Sequence, residues 1–456
     1  MSEAQRTPFV ESLLEAAAQA ELPGSGIGWL DAARRENLDA FVTAGLPDTR
    51  VEAWKYTALR ALGQRRFAPG DEQAATRAVD AATFMLPGVD GPALVFVNGV
   101  FRADLSRVDA LPTGLSLQPL SQALKGDAEP LRFALSRHYR EGGDAFARLN
   151  AALSGDGVVL RVAPNARVAQ PVHLVFVGAA AEGAAPVHPA PAALAHPCAS
   201  DLAWHVRHIV ELGEGAELSL VEHHVASGEQ QHLGTQVTDI VLRKGARLRQ
   251  VTLQNASAGS TLVRHDSVQL DEDAQATLYV LELGGALVRH DLHATLAGDR
   301  SRLETRGVFV LNGRQHVDTQ MAIRHQALNT ASDSVWRGVA DQRSRGVFRG
   351  AIVVAEGADG SDASLSSKNL LLSAQAEIDT KPELEIYADE VKAAHGATVG
   401  QLDERSLFYL RSRGIPLVEA RAMLTAAFCR AVFASLDNDA LREHLDHQLM
   451  AHLPSA

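Results

Sequence analysis

A short polar corner recurs at nearly regular intervals through the middle of the chain. Each corner combines charged residues with glycine, aspartate or alanine, and the clearest examples are Glu214-Gly215-Ala216, Lys244-Gly245-Ala246, Glu272-Asp273-Ala274 and Gly298-Asp299-Arg300. Their central residues are separated by 30, 28 and 26 positions, and alternating apolar and polar residues follow each corner. Such an interval, with almost no helical pattern between the corners, is typical of a β-solenoid. We therefore predict a mainly β fold, a right-handed parallel β-helix from residue 157 to residue 400.

Helical spacing replaces strand alternation at both ends of the predicted solenoid. Pro8 is a typical first residue of a helix, and a second helical pattern begins after Pro416. We therefore predict a mainly helical N-terminal region over residues 1–156, the β-helix over 157–400 and a C-terminal helical region over 401–456. A helical cap would also protect the open end of a solenoid from edge-to-edge aggregation.

Three segments outside the repeat carry local predictions. The run ALVFVNGVF predicts a β-hairpin with Asn98 and Gly99 at its turn. The residues from Leu120 to Leu153 predict a helical stretch whose histidine and arginine side chains form a solvated face. The alanine- and proline-rich stretch 178–200 has no periodicity and predicts a surface loop or a disordered insert.

Composition excludes several classes of function. The formal net charge of the 456-residue chain is −12 without a basic block, which argues against nucleic acid or an anionic membrane as the main partner. No run approaches about 18 apolar residues and the N-terminus has no apolar signal segment, so we expect a cytoplasmic protein. The only cysteines, Cys198 and Cys429, match no metal-ligand spacing.

Histidine is abundant, and ten of its 18 copies fall between His205 and His325. Strand alternation places His223 and His224 on opposite faces, so they cannot share one metal ion without a bend. No histidine in this region has a Cys, Asp or Glu partner at a spacing that fixes a tetrahedral site. The sequence therefore predicts a polar strand surface here. It contains no Walker A, GxSxG or HExxH motif either.

The stretch from Lys381 to Gly400 predicts two strands joined by a corner at Ala388-Asp389-Glu390. In the second strand His395 shares a face with valine and alanine residues and has small neighbours. Spacing alone favours a core histidine that hydrogen-bonds a backbone carbonyl. The small neighbours leave a second interpretation open, in which a ligand or another chain approaches the imidazole.

The same stretch carries a resemblance to a known family. The run KPELEIYADEVKAAHGATVGQLDE, followed by LFYLRSRGI, resembles the C-terminal signature of the SufB/SufD family of the SUF iron–sulfur cluster assembly machinery. EAWKYTALRAL (Glu52 to Leu62) and FARLNAALSGDGVVLRV (Phe146 to Val162) extend the resemblance over most of the chain.

The resemblance implies a non-catalytic scaffold with a β-helix fold. It implies that His395 takes part in cluster assembly, as a candidate metal ligand, where a SufB-like subunit and this chain meet. The iron–sulfur cluster would be transient and shared with that partner. Some relatives carry a cysteine two positions before this histidine, where this chain has Ala393, so any cysteine ligand would come from the partner.

The resemblance also places binding of the ATPase SufC after Gly400. The residues implied on that side are Tyr409, Arg411, Arg413 and Gly414. Alone, the chain could form a homodimer. The alternative is a structural or carbohydrate-active β-helix with no iron role, because a fold by itself does not decide function. Co-elution with SufB-like and SufC-like proteins would separate the two.

Overall fold

The computed structural model describes residues 7–70, 75–139, 143–180 and 201–453. Its strands are β1 (Ala68–Pro69), β2 (Ala93–Val97), β3 (Val100–Phe101), β4 (Leu115–Pro119), β5 (Asp156–Val162), β6 (Val172–Ala179), β7 (Leu202–Leu212), β8 (Glu217–Ser227), β9 (Leu233–Leu242), β10 (Arg247–Asn255), β11 (Thr261–Leu270), β12 (Gln275–Glu282), β13 (Leu287–Leu296), β14 (Arg302–Leu311), β15 (His316–His325), β16 (Ala331–Ala340), β17 (Arg345–Val354), β18 (Asp362–Leu371), β19 (Glu377–Ile386) and β20 (Lys392–Gly400). Its α-helices are α1 (Pro8–Gln19), α2 (Gly28–Ala44), α3 (Arg60–Gly63), α4 (Leu120–Ala123), α5 (Arg132–Leu135), α6 (Ala145–Leu153), α7 (Glu404–Ser412), α8 (Leu417–Arg430) and α9 (Asp439–His452).

Strands β5 to β20 wind into a parallel β-solenoid, as predicted. Sheet one contains β4 and the odd-numbered strands from β5 to β19, and β1 pairs with β7. Sheet two contains β3, β2 and the even-numbered strands from β6 to β20. Each coil therefore gives one strand to each sheet, and apolar side chains such as Leu160, Leu220 and Ile352 fill the space between the sheets. The three-part division of the chain stays a prediction.

The predicted corners stack on one another along the solenoid. Gly215, Gly245 and Asp273 adopt positive φ angles of 63°, 68° and 57°. The amide of Gly215 donates to the Lys244 carbonyl at 2.8 Å, and the amide of Gly245 donates to the next corner at the same distance. In the fourth corner the positive φ falls on Arg300 rather than on Asp299. The positive φ explains why glycine or a short polar residue recurs at these positions.

The N-terminal region confirms one local prediction and contradicts another. Asn98 and Gly99 join β2 to β3 with positive φ at both residues, as a tight hairpin turn requires. The helical stretch predicted from Leu120 to Leu153 consists of three short α-helices, α4, α5 and α6. The solvated face predicted there is wrong at Arg148, which is buried and donates to the Tyr139 carbonyl at 2.7 Å. Tertiary packing of α6 against α2 and β9 buries all of its residues.

The C-terminal helices cover part of sheet two. Leu441, Leu445 and Leu449 of α9 are buried in one cluster with strand residues such as Val251 and Val308. Helix α7, by contrast, has no buried residue. Within the described ranges no helix is long and apolar enough to cross a membrane. Most of the predicted insert 178–200, including Cys198, lies outside the described residues.

Candidate functional site

The last coil of the solenoid leaves two strand edges open. Strand β19 pairs only with β17, and β20 pairs only with β18, so each ends its sheet within the described part of the chain. The backbone groups on an outer edge can pair with a strand of another chain. The stretch from Lys381 to Gly400, including its predicted corner, forms this end of the molecule.

His395 lies on the exposed side of the last coil. Its register partner in β18 is Leu365, which is buried in the solenoid interior. Side chains in register on parallel strands point to the same face, so His395 occupies an interior-facing position that no further coil covers. The imidazole is exposed and makes no hydrogen bond or ion pair with any described residue. The interpretation as a core histidine is therefore wrong, because periodicity gives the face of a strand but does not show which coil is last.

The surroundings of His395 are open and partly apolar. A Cβ atom added at Gly396 would meet no heavy atom within 4 Å. Ile386, Tyr387 and Val399 of the last coil are exposed large apolar residues, with Tyr387 63% exposed. Exposed large apolar side chains at an open end of the fold are typical of a protein–protein interface.

The N-terminal segment around Glu52 contacts the last coil at β19 of sheet one. Lys381 lies 2.6 Å from Glu52 and 2.9 Å from Glu383. The hydrogen bond from Lys381 lowers the pKa of Glu52, and the same bond raises the pKa of Lys381. Two of the segments that carry the family resemblance therefore meet in the folded chain.

Trp54, in the same N-terminal segment, packs this segment against the solenoid. The ring is buried, and its Nε1–H donates to the Gly143 carbonyl at 3.0 Å. The Arg289 guanidinium lies over the indole with 4.2 Å between the guanidinium carbon and the ring centroid. A cation–π contact of this kind adds to the burial of the aromatic ring.

The residues predicted to face SufC lie on or directly after α7. Arg413 lies over the Tyr409 ring at 5.0 Å, and its Nη2 donates to the Tyr409 hydroxyl at 3.2 Å. Gly414 has a φ of 87°, a left-handed conformation that lets the chain change direction after the helix. Arg411 is exposed on the same helix. The structure adds Phe408, 74% exposed, which helical spacing could not identify as outward-facing.

The histidines of the strand region are mostly buried, so the predicted polar surface is wrong. His224 lies in the solenoid interior, 2.8 Å from the Glu222 carboxylate, and His290 lies 3.0 Å from Asp266. Although burial favours the neutral acid, Arg264 and His224 hold the pKa of Glu222 at about 2. Both faces of these strands are covered, one by the interior and the other by helices and loops.

His223 and His224 do lie on opposite faces of β8. His224 stacks on Phe176 of the interior, whereas His223 stacks on His173 with 5.9 Å between ring centroids. Among the described residues, no group of three or more His, Cys, Asp and Glu side chains is arranged to hold a metal ion. A metal ion bound by His395 would therefore need further ligands from outside the described residues.

Cys429 is unsuited to bind iron in this conformation. Its thiol is fully buried between α8 and sheet two. Burial raises the pKa of this thiol to about 12, so the thiolate that binds metals is scarce near neutral pH.

The fold and the open end define a β-solenoid that presents two unpaired strand edges, an exposed imidazole and exposed apolar side chains. The sequence matches two family models, described as "SUF system FeS cluster assembly, SufBD core domain" over residues 197–428 and "SufBD protein N-terminal region" over residues 14–174. The chain belongs to the SufB/SufD family, and it is of the SufD type.

Similar proteins occur in Escherichia coli and Synechocystis. The chain is 30% identical over 422 residues to the iron–sulfur cluster assembly protein SufD of Escherichia coli, and the match covers 92% of each chain. It is 28% identical over 435 residues to an iron–sulfur cluster assembly SufBD family protein of Synechocystis, covering 94% of this chain and 92% of the relative. Membership of this family removes the reason for a carbohydrate-active interpretation.

Proposed function

We propose that this chain is a non-catalytic scaffold subunit for iron–sulfur cluster assembly. It pairs with a SufB-like subunit through the last coil and binds the ATPase SufC through residues 401–456. The nascent cluster forms at the shared interface and passes on to other proteins. The observation that carries the proposal is the exposed His395 on an open edge strand.

The two open edges support the pairing step. A partner whose own solenoid ends in similar strands can continue sheet one beyond β19 and sheet two beyond β20. The apolar side chains of Ile386, Tyr387 and Val399 then lose contact with water. Without the partner, the same edges can pair two copies of this chain, which is our proposal for the isolated protein.

The chemistry of His395 supports a role in holding iron. A neutral imidazole donates a nitrogen lone pair to iron, and one histidine among thiolates changes the potential and lability of a cluster. Among the described residues Cys429 is buried, and Ala393 offers no thiol next to His395. We propose that the thiolate ligands come from the partner subunit. A mixed ligand set shared by two chains suits a site that must release its cluster.

The exposed α7 supports the SufC step. None of its residues is buried, yet it carries Phe408, Tyr409 and two arginines on the surface. Aromatic and arginine side chains dominate the binding energy of many interfaces. We propose that α7 and Gly414 form the contact with the ATPase.

Co-expression with the SufB-like and SufC-like proteins of the same organism tests the proposal. We expect one complex that contains all three proteins on size exclusion. A variant of the edge, Val399→Asp with Tyr387→Asp, should lose the SufB-like subunit and retain SufC. The matched control is Phe133→Asp, which changes an exposed aromatic residue on α5. A chain that elutes alone, or an edge variant that assembles normally, contradicts the proposed pairing.

A further inference from the structure

A long groove runs along the side of the solenoid, away from His395. It has a volume of about 1010 Å³ and is lined by the connections that lead from sheet two back to sheet one. These connections include residues 229–231, 258–259, 312–315, 342–343 and 373–375. The opposite wall is the segment around α3. Nothing in the proposed scaffold function uses this groove.

The dimensions of the groove fit an extended chain. Six successive connections line it, from β8–β9 to β18–β19. With about 4.8 Å between neighbouring strands, five intervals span about 24 Å. An extended peptide advances about 3.3 Å per residue, so about seven residues fill this length. The volume is at the upper end of the range for small-molecule pockets.

The lining of the groove offers hydrogen bonds suited to a peptide backbone. Five glutamines and Asn312 line it, and carboxamides both donate and accept hydrogen bonds. The side chains of Gln231 and Gln342 make no hydrogen bond with any other described residue, and both are at least partly exposed. Leu59 and Leu62 supply an apolar strip on the opposite wall.

Charge is separated along the groove. Arg314 and Arg343 are exposed near one end, and neither forms an ion pair within the described ranges. Arg343 only donates to the Gln375 carboxamide, at 2.8 Å. Its neighbour Arg345, by contrast, pairs with Glu377 and Asp379. The other end carries Glu229, which accepts from Ser257 at 3.0 Å, and Arg65, whose charge is paired with Asp201 at 2.9 Å.

We infer that this groove binds an extended peptide segment of another protein, with acidic residues at the Arg314 and Arg343 end. Two exposed guanidinium groups without carboxylate partners attract carboxylates. No Phe, Tyr or Trp occurs among the described residues that line the groove, so nucleic acid bases find no stacking platform. A polyanion along the whole groove would also meet Glu229.

Selection from a displayed library of random seven-residue peptides, with the full chain as target, tests the inference. The selected peptides are then synthesised with a fluorescein label, and binding is measured by fluorescence polarisation. We expect the selected sequences to carry Asp or Glu towards one end. Binding should weaken roughly tenfold for Arg314→Glu with Arg343→Glu, because attraction becomes repulsion.

Two further variants make the test specific. Ala286→Trp fills the middle of the groove from an exposed position and should abolish binding. Arg302→Glu with Arg324→Glu, a matched reversal of exposed arginines outside the groove, should leave binding unchanged. Circular dichroism checks that each variant is folded. Failure to select any peptide, selection without acidic residues, or equal binding to the charge-reversed variant overturns the inference. Groove-dependent binding of fluorescein-labelled oligodeoxythymidine in place of peptides also overturns it.

Discussion

Lys381 of β19 lies 2.6 Å from Glu52, a residue 329 positions earlier in the chain. This ion pair joins the N-terminal segment around Trp54 to the coil that carries His395. The last coil has no neighbour on its outer side, so this lateral contact adds to the strand pairing with β17 and to the ion pairs of Arg345 and Arg349 with β19.

We predict that Glu52→Gln leaves the global unfolding midpoint unchanged but loosens the last coil. Exposed ion pairs contribute little to global stability, yet this pair restrains a coil that is open on one side. Hydrogen–deuterium exchange should therefore become faster in β19 and β20 and stay the same in β9 and β11. Unchanged exchange in β19 would show that the pair does not restrain the coil.

Acid should destabilise the folded chain below about pH 6.5. Burial lowers the pKa of His173 and His205 to about 3 and that of His208 to about 4, from an ordinary value of 6.5. As the pH falls below 6.5, the unfolded chain binds protons that these folded sites exclude, so the free energy of unfolding decreases. Each histidine contributes about 1.4 kcal/mol per pH unit until its folded pKa is reached.

Urea denaturation at several pH values between about 7.5 and about 5.5 measures this effect. His208→Gln should flatten the pH dependence, because it removes one group that titrates on unfolding. The glutamine oxygen can still accept the hydrogen bond that the Val158 amide donates to His208 Nδ1 at 3.1 Å. A free energy of unfolding that does not change over this range contradicts the prediction.

Substituting the buried histidines should change the free energy of unfolding. His223 and His224 are both buried, so substituting either of them should lower the stability of the fold. His224→Ala should cost about 3 kcal/mol of unfolding free energy, because it opens a cavity and removes a partner of the Glu222 carboxylate. The exposed His293→Ala should cost less than about 0.5 kcal/mol. Equal denaturation midpoints for the two variants would contradict the packing described above.

Particular residues show how far the sequence could predict this structure. Gly215 and its successors marked the corners, and Asn98-Gly99 marked the hairpin, because both need backbone conformations that few residues adopt. The exposure of His395 and the burial of His224 depend on which faces other coils and helices cover. Alternation along one strand does not contain that information.

SufC binding should depend on exposed residues of α7. Removing everything after Gln401 is a poor test, because α8 and α9 cover apolar residues of sheet two. We predict instead that Tyr409→Ala with Arg413→Ala weakens SufC binding at least about tenfold, while the melting temperature stays the same. Phe133→Ala is the control, because Phe133 lies on α5, away from α7, and is 95% exposed. Normal SufC affinity of the α7 variant would rule out this surface.

The central claim concerns His395, and the most direct test is the iron and acid-labile sulfide content of the complex. The complex is co-expressed with its SufB-like and SufC-like partners and purified without oxygen, with either native His395 or His395→Ala. The control is Thr398→Ala, an exposed residue on the opposite face of β20. We predict that His395→Ala assembles with unchanged subunit ratio but retains a small fraction of the iron and sulfide, whereas Thr398→Ala retains all of it. A His395→Ala complex with the full content of iron and sulfide would contradict the assignment of this site.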